Sequence, residues 1–264
     1  MVGETSAAAS GARRLSIWPF IAVVVVYLGI VQGLGAFLTR DIDVRYAAPT
    51  TADELWRSIT VPVGASLLFV VVVVAALRWW RPVLVDDRPV RGWVIALAVI
   101  MAVAALLGVN YSGLADRGTG FALLLGLTML MVGFAEEAMF RGVGLTVFRT
   151  NGFSEGRAAL WSSVVFGLAH ATNLISAGPK AFVQVLVTAV AGYVFYLIRR
   201  RSGGLLVPAV LHGLWDFSLL SGAVVPGRTY AGSVIVVIGL VVLIVVVLVR
   251  RGHVEPEAGD RSPA

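Results

Sequence analysis

The sequence has no cysteine. That excludes a disulfide framework, a thiolate nucleophile and a cysteine-based metal site, and it leaves the redox compartment unread. Charge is scarce too. Only 14% of the 264 residues are Asp, Glu, Lys or Arg, and three are histidine. A soluble domain of this length needs far more polar surface. In place of charge, 58% of the chain is hydrophobic and mean hydropathy is +0.90. The apolar residues fall into separate blocks, most of them near the length that crosses a bilayer. This predicts an all-α polytopic membrane protein, because a backbone in lipid must satisfy its own hydrogen bonds. The net charge of +6 is not a nucleic-acid footprint. The arginines sit in short clusters between apolar blocks rather than on one folded face, so no nucleic-acid partner is expected.

Eight apolar segments are predicted, over 17–38, 59–77, 93–109, 119–135, 159–175, 181–198, 203–220 and 231–249. Residues 1–16 read as an N-terminal cytoplasmic tail, 17–249 as an eight-helix transmembrane domain and 250–264 as a polar C-terminal cytoplasmic tail. The third, fourth and fifth segments are short as drawn and are expected to extend. The Arg13–Arg14 pair precedes an apolar run with no small-residue cleavage site after it, which reads as an uncleaved first helix.

Charge placement tests the count. With the amino terminus inside, the inside segments hold Arg13, Arg14, Arg78, Arg81, Arg88, Arg91, Arg141, Arg149, Arg157, Arg199, Arg200, Arg201, Arg250, Arg251 and Arg261. The outside segments hold Arg40, Arg45, Arg57, Arg117, Lys180 and Arg228, so the tally is fifteen against six. The positive-inside rule then puts both termini in the cytoplasm. Trp18, Trp56, Trp79, Trp80 and Trp93 flank apolar blocks as an interfacial belt predicts. Residues 136–158 carry apolar groups at helical spacing. They are expected to continue the fourth helix or to lie at the cytoplasmic interface, with Asn151-Gly152 as a break.

Once the loops are removed, few ionisable residues remain inside the blocks: Glu136, Glu137, His170, His212 and Asp216. A charge in a span is costly and by default marks a site, a relay or an ion path. His170 is four residues past Phe166, and Asp216 four past His212, so each pair shares a helix face. Counted from the segment starts, His170 lies about 16 Å and His212 about 13 Å along its helix. Arg141 is four residues past Glu137 and can pair with it. Glu136 points about 100° away and is free to handle a proton. Hydrolysis in a membrane needs a water, a base and a stabiliser for the oxyanion, and this set can supply them. A metal reading stays open, with Glu136, His170 and His212 as zinc ligands from three helices; no His-Glu-x-x-His pair is present. No serine–histidine or serine–lysine pattern is seen at helical spacing.

These residues also form a pattern. Glu136-Glu137-Ala138-Met139-Phe140-Arg141 resembles the EExxxR motif of the CAAX-protease and bacteriocin-processing (CPBP, Abi) family of intramembrane glutamate-dependent endopeptidases. Phe166-Gly167-Leu168-Ala169-His170 resembles its FxxxH motif, and His212-Gly213-Leu214-Trp215-Asp216 its HxxxN/D motif. The resemblance covers about 119–220, taken as the catalytic core. It implies a multi-helix endopeptidase whose internal cavity opens toward the cytoplasmic side and the lipid. It also implies that Glu136 and His170 activate water while His212 and Asp216 support the oxyanion, with Glu137, Arg141 and Phe166 in support. The implied mechanism is glutamate-dependent, and no cofactor is expected. Asparagine at the last position can donate a hydrogen bond and an ionised aspartate cannot, so Asp216 either is protonated or orients His212.

The rival readings use the same buried cluster without proteolysis, as a proton-coupled transporter or as an immunity or binding partner. A transporter wants a polar file across both leaflets, and the first, second and eighth segments offer almost nothing polar. Asn173 and Gln184 read as helix–helix glue or outer-interface residues. Trp215 either lines a substrate groove or packs between helices. The expected partners are a membrane protein or peptide substrate and the bilayer. The expected location is a bacterial plasma membrane. Oligomeric state is not readable.

Overall fold

The computed structural model describes residues 13–44, 48–88, 90–224 and 230–250. The tails assigned to 1–16 and 250–264 lie almost wholly outside the described residues. Regular structure among the described residues is helical, apart from one isolated bridge between Val85 and Gly204. Helix α1 (Ile17–Leu38) is followed by α2 (Ala52–Leu55), a π-helical turn (Trp56–Thr60) and α3 (Val61–Leu77), then by the short α4 (Trp80–Leu84). A 3₁₀ turn (Gly92–Val94) leads into α5 (Ile95–Gly108), and α6 (Tyr111–Arg117) comes next. Helix α7 (Thr119–Glu136) runs through a π-helical segment (Glu137–Gly144) into α8 (Leu145–Thr150). After α9 (Glu155–Ala169) come a 3₁₀ turn (His170–Asn173), α10 (Leu174–Ala177), α11 (Lys180–Ser202), α12 (Leu206–Ala223) and α13 (Gly232–Val249).

Local chemistry sets several of these boundaries. Thr51 accepts from the Glu54 amide (3.1 Å) while Glu54 accepts from the Thr50 amide (2.6 Å), a capping arrangement that starts α2. Gly152, at φ 83°, makes the turn after α8 expected at Asn151-Gly152. Gly203, at φ 78°, stops α11, and the Gly204 amide returns to the Arg199 carbonyl (3.0 Å).

The chain is an all-α polytopic membrane protein. Among the described residues five helical stretches are long and apolar enough to span: Ile17–Leu38, Ala52–Leu77, Thr119–Thr150, Ala181–Ser202 and Leu206–Ala223. A sixth counts if Gly92–Gly108 and Tyr111–Arg117, bent by 53°, form one span. The expected eight are therefore not all of spanning length. The segment drawn at 159–175 fails because its helix breaks at His170, and the last apolar helix, Val234–Val249, is short. Outward faces are apolar throughout: Leu68, Leu107, Leu123, Leu186 and Leu248 are all more than 60% exposed, as lipid contact requires. Of the expected belt tryptophans, Trp18, Trp56 and Trp80 are exposed, but Trp79 is buried in the core.

The helix ends sort into two groups. One, here termed the arginine end, is tied by buried charge. Asp86 is wholly buried between Arg149 (2.9 Å) and Arg199 (3.2 Å), and Arg199 also donates to the carbonyls of Pro82, Val83 and Val85. Glu155 meets Arg149 at 2.5 Å and accepts from Tyr196 at 2.9 Å, with Arg88 (3.4 Å) and Arg200 (3.5 Å) beside it. Burial opposes ionisation of Asp86, but Arg149 and Arg199 outweigh it and hold the carboxyl below its usual range. The opposite end is tied by Arg57 to Asp41 and the Leu38 carbonyl, and by Arg117 to the carbonyls of Thr50 and Val224.

The stretch after Glu136 continues the fourth helix, as expected, but it does not float at an interface. Met139, Phe140, Val143, Leu145 and Val147 form a buried plug at the arginine end. Small residues make room for its neighbours: a Cβ on Gly142 would meet Val83 at 2.7 Å, and one on Gly144 would meet Phe20 at 2.9 Å.

Candidate active site

The two glutamates sit where α7 changes into π-helix. Such insertions cluster at functional sites because they re-aim side chains. Glu137 is fully buried, and Glu136 is 21% exposed and lines a cavity of about 960 Å³. Helix α12 brings His212 to them by close backbone approach. A Cβ on Gly133 would lie 2.2 Å from the Ala209 carbonyl, and one on Gly213 would lie 2.7 Å from the Met129 carbonyl. Only glycine permits that contact, and it seats His212 directly over the glutamate pair.

His212 is surrounded by carboxylates. Its Nδ1 lies 3.0 Å from Glu137 Oε1, and its Nε2 lies 3.6 Å from Glu136 Oε2 and 3.5 Å from Asp216 Oδ2. A carboxylate accepts, so Nδ1 donates to Glu137 and Nε2 faces the other two acids. Glu137 Oε1 is also 2.9 Å from Arg141 Nη1, which gives the four-residue ion pair expected from spacing. Arg141 is itself wholly buried. Its Nε approaches the Gly192 carbonyl (3.4 Å), its guanidinium lies 3.9 Å from the Phe166 ring centre, and a Cβ on Gly192 would come within 2.8 Å of Nη2. Glu137 is thus a bridge between Arg141 and His212, a second contact that the spacing did not indicate.

Phe166 is the hub of the site. His170 meets it edge-on at 4.9 Å and His212 edge-on at 5.8 Å, while Phe140 packs on it at 5.1 Å. His170 Nδ1 lies 3.0 Å from the Phe166 carbonyl. A carbonyl only accepts, so Nδ1 carries a proton and Nε2 is the ring nitrogen left to face the cavity. His170 also opens the 3₁₀ turn, at a helix break rather than in a continuous span. Helix α9 starts earlier and α12 later than the drawn segments, so the two histidines are not matched in distance along their helices; Phe166 joins them nonetheless.

All four residues expected to do chemistry, Glu136, His170, His212 and Asp216, line the one cavity. Phe166 lines it as well, whereas Glu137 and Arg141 stand behind it. Trp215 does both things left open for it: it lines the cavity and packs near Gly239 of α13. Ser162 and Ser163 are occupied with the carbonyls of Phe140 and Ala159. Among the described residues, no three His, Asp or Glu side chains are arranged to hold a metal ion.

Several contributors were missed. Phe195 stacks on His212 with centroids 4.6 Å apart and planes 20° apart. It is one aromatic among many on an apolar helix, and nothing in the sequence marks it. Gln32 was readable as an amide inside a valine-rich span. It donates to Thr172 Oγ1 (3.0 Å) and Asn173 Oδ1 (3.1 Å), and Asn173 donates to Gln184 (3.0 Å). Asn173 and Gln184 are therefore helix–helix glue, as one of their two readings had it, and they also line the cavity. The first segment is not without polar function, since Tyr27 and Gln32 both face this space.

Comparison with known proteins bears on the family. The pattern of the Type II CAAX prenyl endopeptidase Rce1-like family matches residues 118–218. An Escherichia coli relative, named "Uncharacterized 24.3 kDa protein", is 32% identical over 167 residues, covering 56% of this chain and 73% of the relative. No solved structure matches. The chain belongs to the Rce1-like CAAX endopeptidase (CPBP, Abi) family, a class of CAAX-processing intramembrane proteases.

Proposed function

We propose that this chain hydrolyses a peptide bond of a membrane-associated protein or peptide, inside a bacterial plasma membrane. The observation that carries the reading is the meeting of three motifs from separate helices at one cavity, with Glu136 and Asp216 both within 3.6 Å of His212 Nε2.

Glu136, assisted by Nε2 of His170, takes a proton from water. The oxygen of that water adds to the peptide carbonyl carbon. Negative charge then develops on the carbonyl oxygen beside His212 Nε2. Donation from Nε2 while Nδ1 stays on Glu137 requires a doubly protonated ring, and Glu136, Glu137 and Asp216 are its counter-charges. Asp216 contributes by orienting that imidazole, or by donating itself in its protonated form. Collapse of the adduct breaks the carbon–nitrogen bond, and the proton held by Glu136 passes to the leaving amine. Phe166 and Phe195 fix the imidazole planes, while Arg141 holds Glu137. The remaining lining is apolar with neutral amides and hydroxyls, which suits an uncharged stretch of peptide.

The test is cleavage of a membrane-peptide library by purified protein in nanodiscs, comparing wild type with Glu136→Ala, each with and without exhaustive chelation. Cleavage lost in the variant but kept after chelation supports the mechanism. Cleavage lost on chelation and restored by zinc reassigns Glu136, His170 and His212 as metal ligands. No cleavage by wild type across a broad library counts against the enzyme reading and favours proton-coupled transport or a binding role.

A further inference from the structure

The cavity is one-sided. From Glu136 and His212 at mid-bundle its lining runs past Tyr27 and Gln32 to Thr39 and Ser58. Thr39 caps the end of α1, and Ser58 lies in the turn before α3, at the end held by Arg57 and Arg117. No described lining residue comes from 78–93, 145–157 or 196–206, the segments that build the arginine end. That end is shut. Met139, Phe140, Val143 and Val147 are at most 1% exposed, with the buried Asp86–Arg199 pair beside them. Water or peptide reaching Glu136 passes Thr39 and Gln32, not Arg149.

Charge says which end is which. The segments that build the shut end, 78–93, 145–157 and 196–206, carry nine of the 21 basic residues, whereas Arg40, Arg57 and Arg117 lie at the mouth end. The positive-inside rule holds such an end in the cytoplasm. We propose that the active-site cavity is entered from the extracytoplasmic face, and that its substrate is an uncharged apolar segment presented in the outer half of the membrane. This is the reverse of the cytoplasmic opening that the family resemblance implies. The mouth fits such a segment. Gln32, Thr172, Asn173 and Gln184 are neutral groups hydrogen-bonded to one another, able to exchange partners with peptide amides, and no lysine or arginine is among the described lining residues.

The substrate clause rests on the protease reading, whereas the direction of entry does not, and the experiment separates them. The chain lacks cysteine, so a single introduced thiol reports one position. Thr39→Cys marks the mouth. Arg81→Cys, at a side chain 79% exposed, marks the arginine end. Both are treated with a membrane-impermeant maleimide in right-side-out and inside-out vesicles. The expected result is Thr39→Cys labelled in right-side-out vesicles and Arg81→Cys only in inside-out ones. The opposite pattern, labelling of both in both preparations, or a Thr39→Cys thiol that reacts only in detergent overturns the proposal. A bulky maleimide on Thr39→Cys should also cut cleavage by roughly tenfold or more by blocking the path. Unchanged cleavage by fully labelled protein overturns the entry route, while an unlabelled wild type without activity counts against the protease reading alone.

Discussion

At the arginine end, two carboxylates, Asp86 and Glu155, share four guanidiniums, those of Arg88, Arg149, Arg199 and Arg200. In the cavity the ratio is reversed. Glu136, Glu137 and Asp216 share one guanidinium, Arg141, and one imidazole, His212. The first cluster is closed, and its acid oxygens are engaged. The second leaves the Glu136 and Asp216 side chains 21% and 24% exposed to the cavity. The same side-chain types therefore serve two purposes. Surplus cation in a sealed place fastens helix ends together, and surplus acid beside an open space can accept and return a proton. Composition alone would not separate the two; what decides is the ratio of acid to base and access to the cavity.

Five measurements can break or sharpen that contrast. The largest effect belongs to Glu136→Gln, which keeps the shape and removes the base. Cleavage should fall by about 10³-fold with little change in thermal unfolding, and near-wild-type turnover would put the proton elsewhere. Asp86→Ala should do the reverse: it removes the acid partner of the buried Arg199 and one of the two acid partners of Arg149 and destabilises by about 3–5 kcal/mol, while turnover per folded molecule stays within about twofold of wild type. His170→Ala should lower turnover by about 10²-fold while the thermal unfolding midpoint stays near that of wild type, a separation that mere loosening of the bundle would not produce. Gly213→Ala forces a methyl against the Met129 carbonyl, so thermal unfolding should show a loss of about 1–3 kcal/mol; because α12 must shift, cleavage should fall with it. The smallest effect is on acidification. Asp86 has a depressed folded-state pKa, so its stabilisation is present above the ordinary aspartate range and is lost as pH falls through the depressed value. Unfolding of wild type followed below about pH 4 should show that loss, and Asp86→Asn should show less of it.

Much of this was legible in the sequence alone. Scarce charge and long apolar blocks gave the membrane class, and the four-residue spacings gave Glu137–Arg141, Phe166–His170 and His212–Asp216. What spacing could not give was contact between helices. The Glu137–His212 hydrogen bond depends on the close approach of Gly133 and Gly213, two glycines with no mark in the sequence. The Phe195–His212 stack is equally invisible, because an aromatic on an apolar helix reads as core. Of the eight segments expected, five or six helical stretches are of spanning length among the described residues, and hydropathy does not see a helix break. The 3₁₀ turn at His170 interrupts the apolar run drawn at 159–175. Tyr27 and Gln32 were passed over because the first segment was read as offering almost nothing polar, whereas one stripe of it faces the cavity.

The π-helical segment Glu137–Gly144 has one more consequence. A π-turn holds more residues than the α-turns on either side, so the segment fixes a rotational phase between α7 and α8. Letting these same residues relax to α, with none removed, would turn the two helices against each other. Glu136, Glu137 and Arg141 would all still be present, and the motif would read as intact. The plug would then be out of step with the α7–α12 contact, so that the helix could pack at one end or aim its carboxylates at the other, but not both.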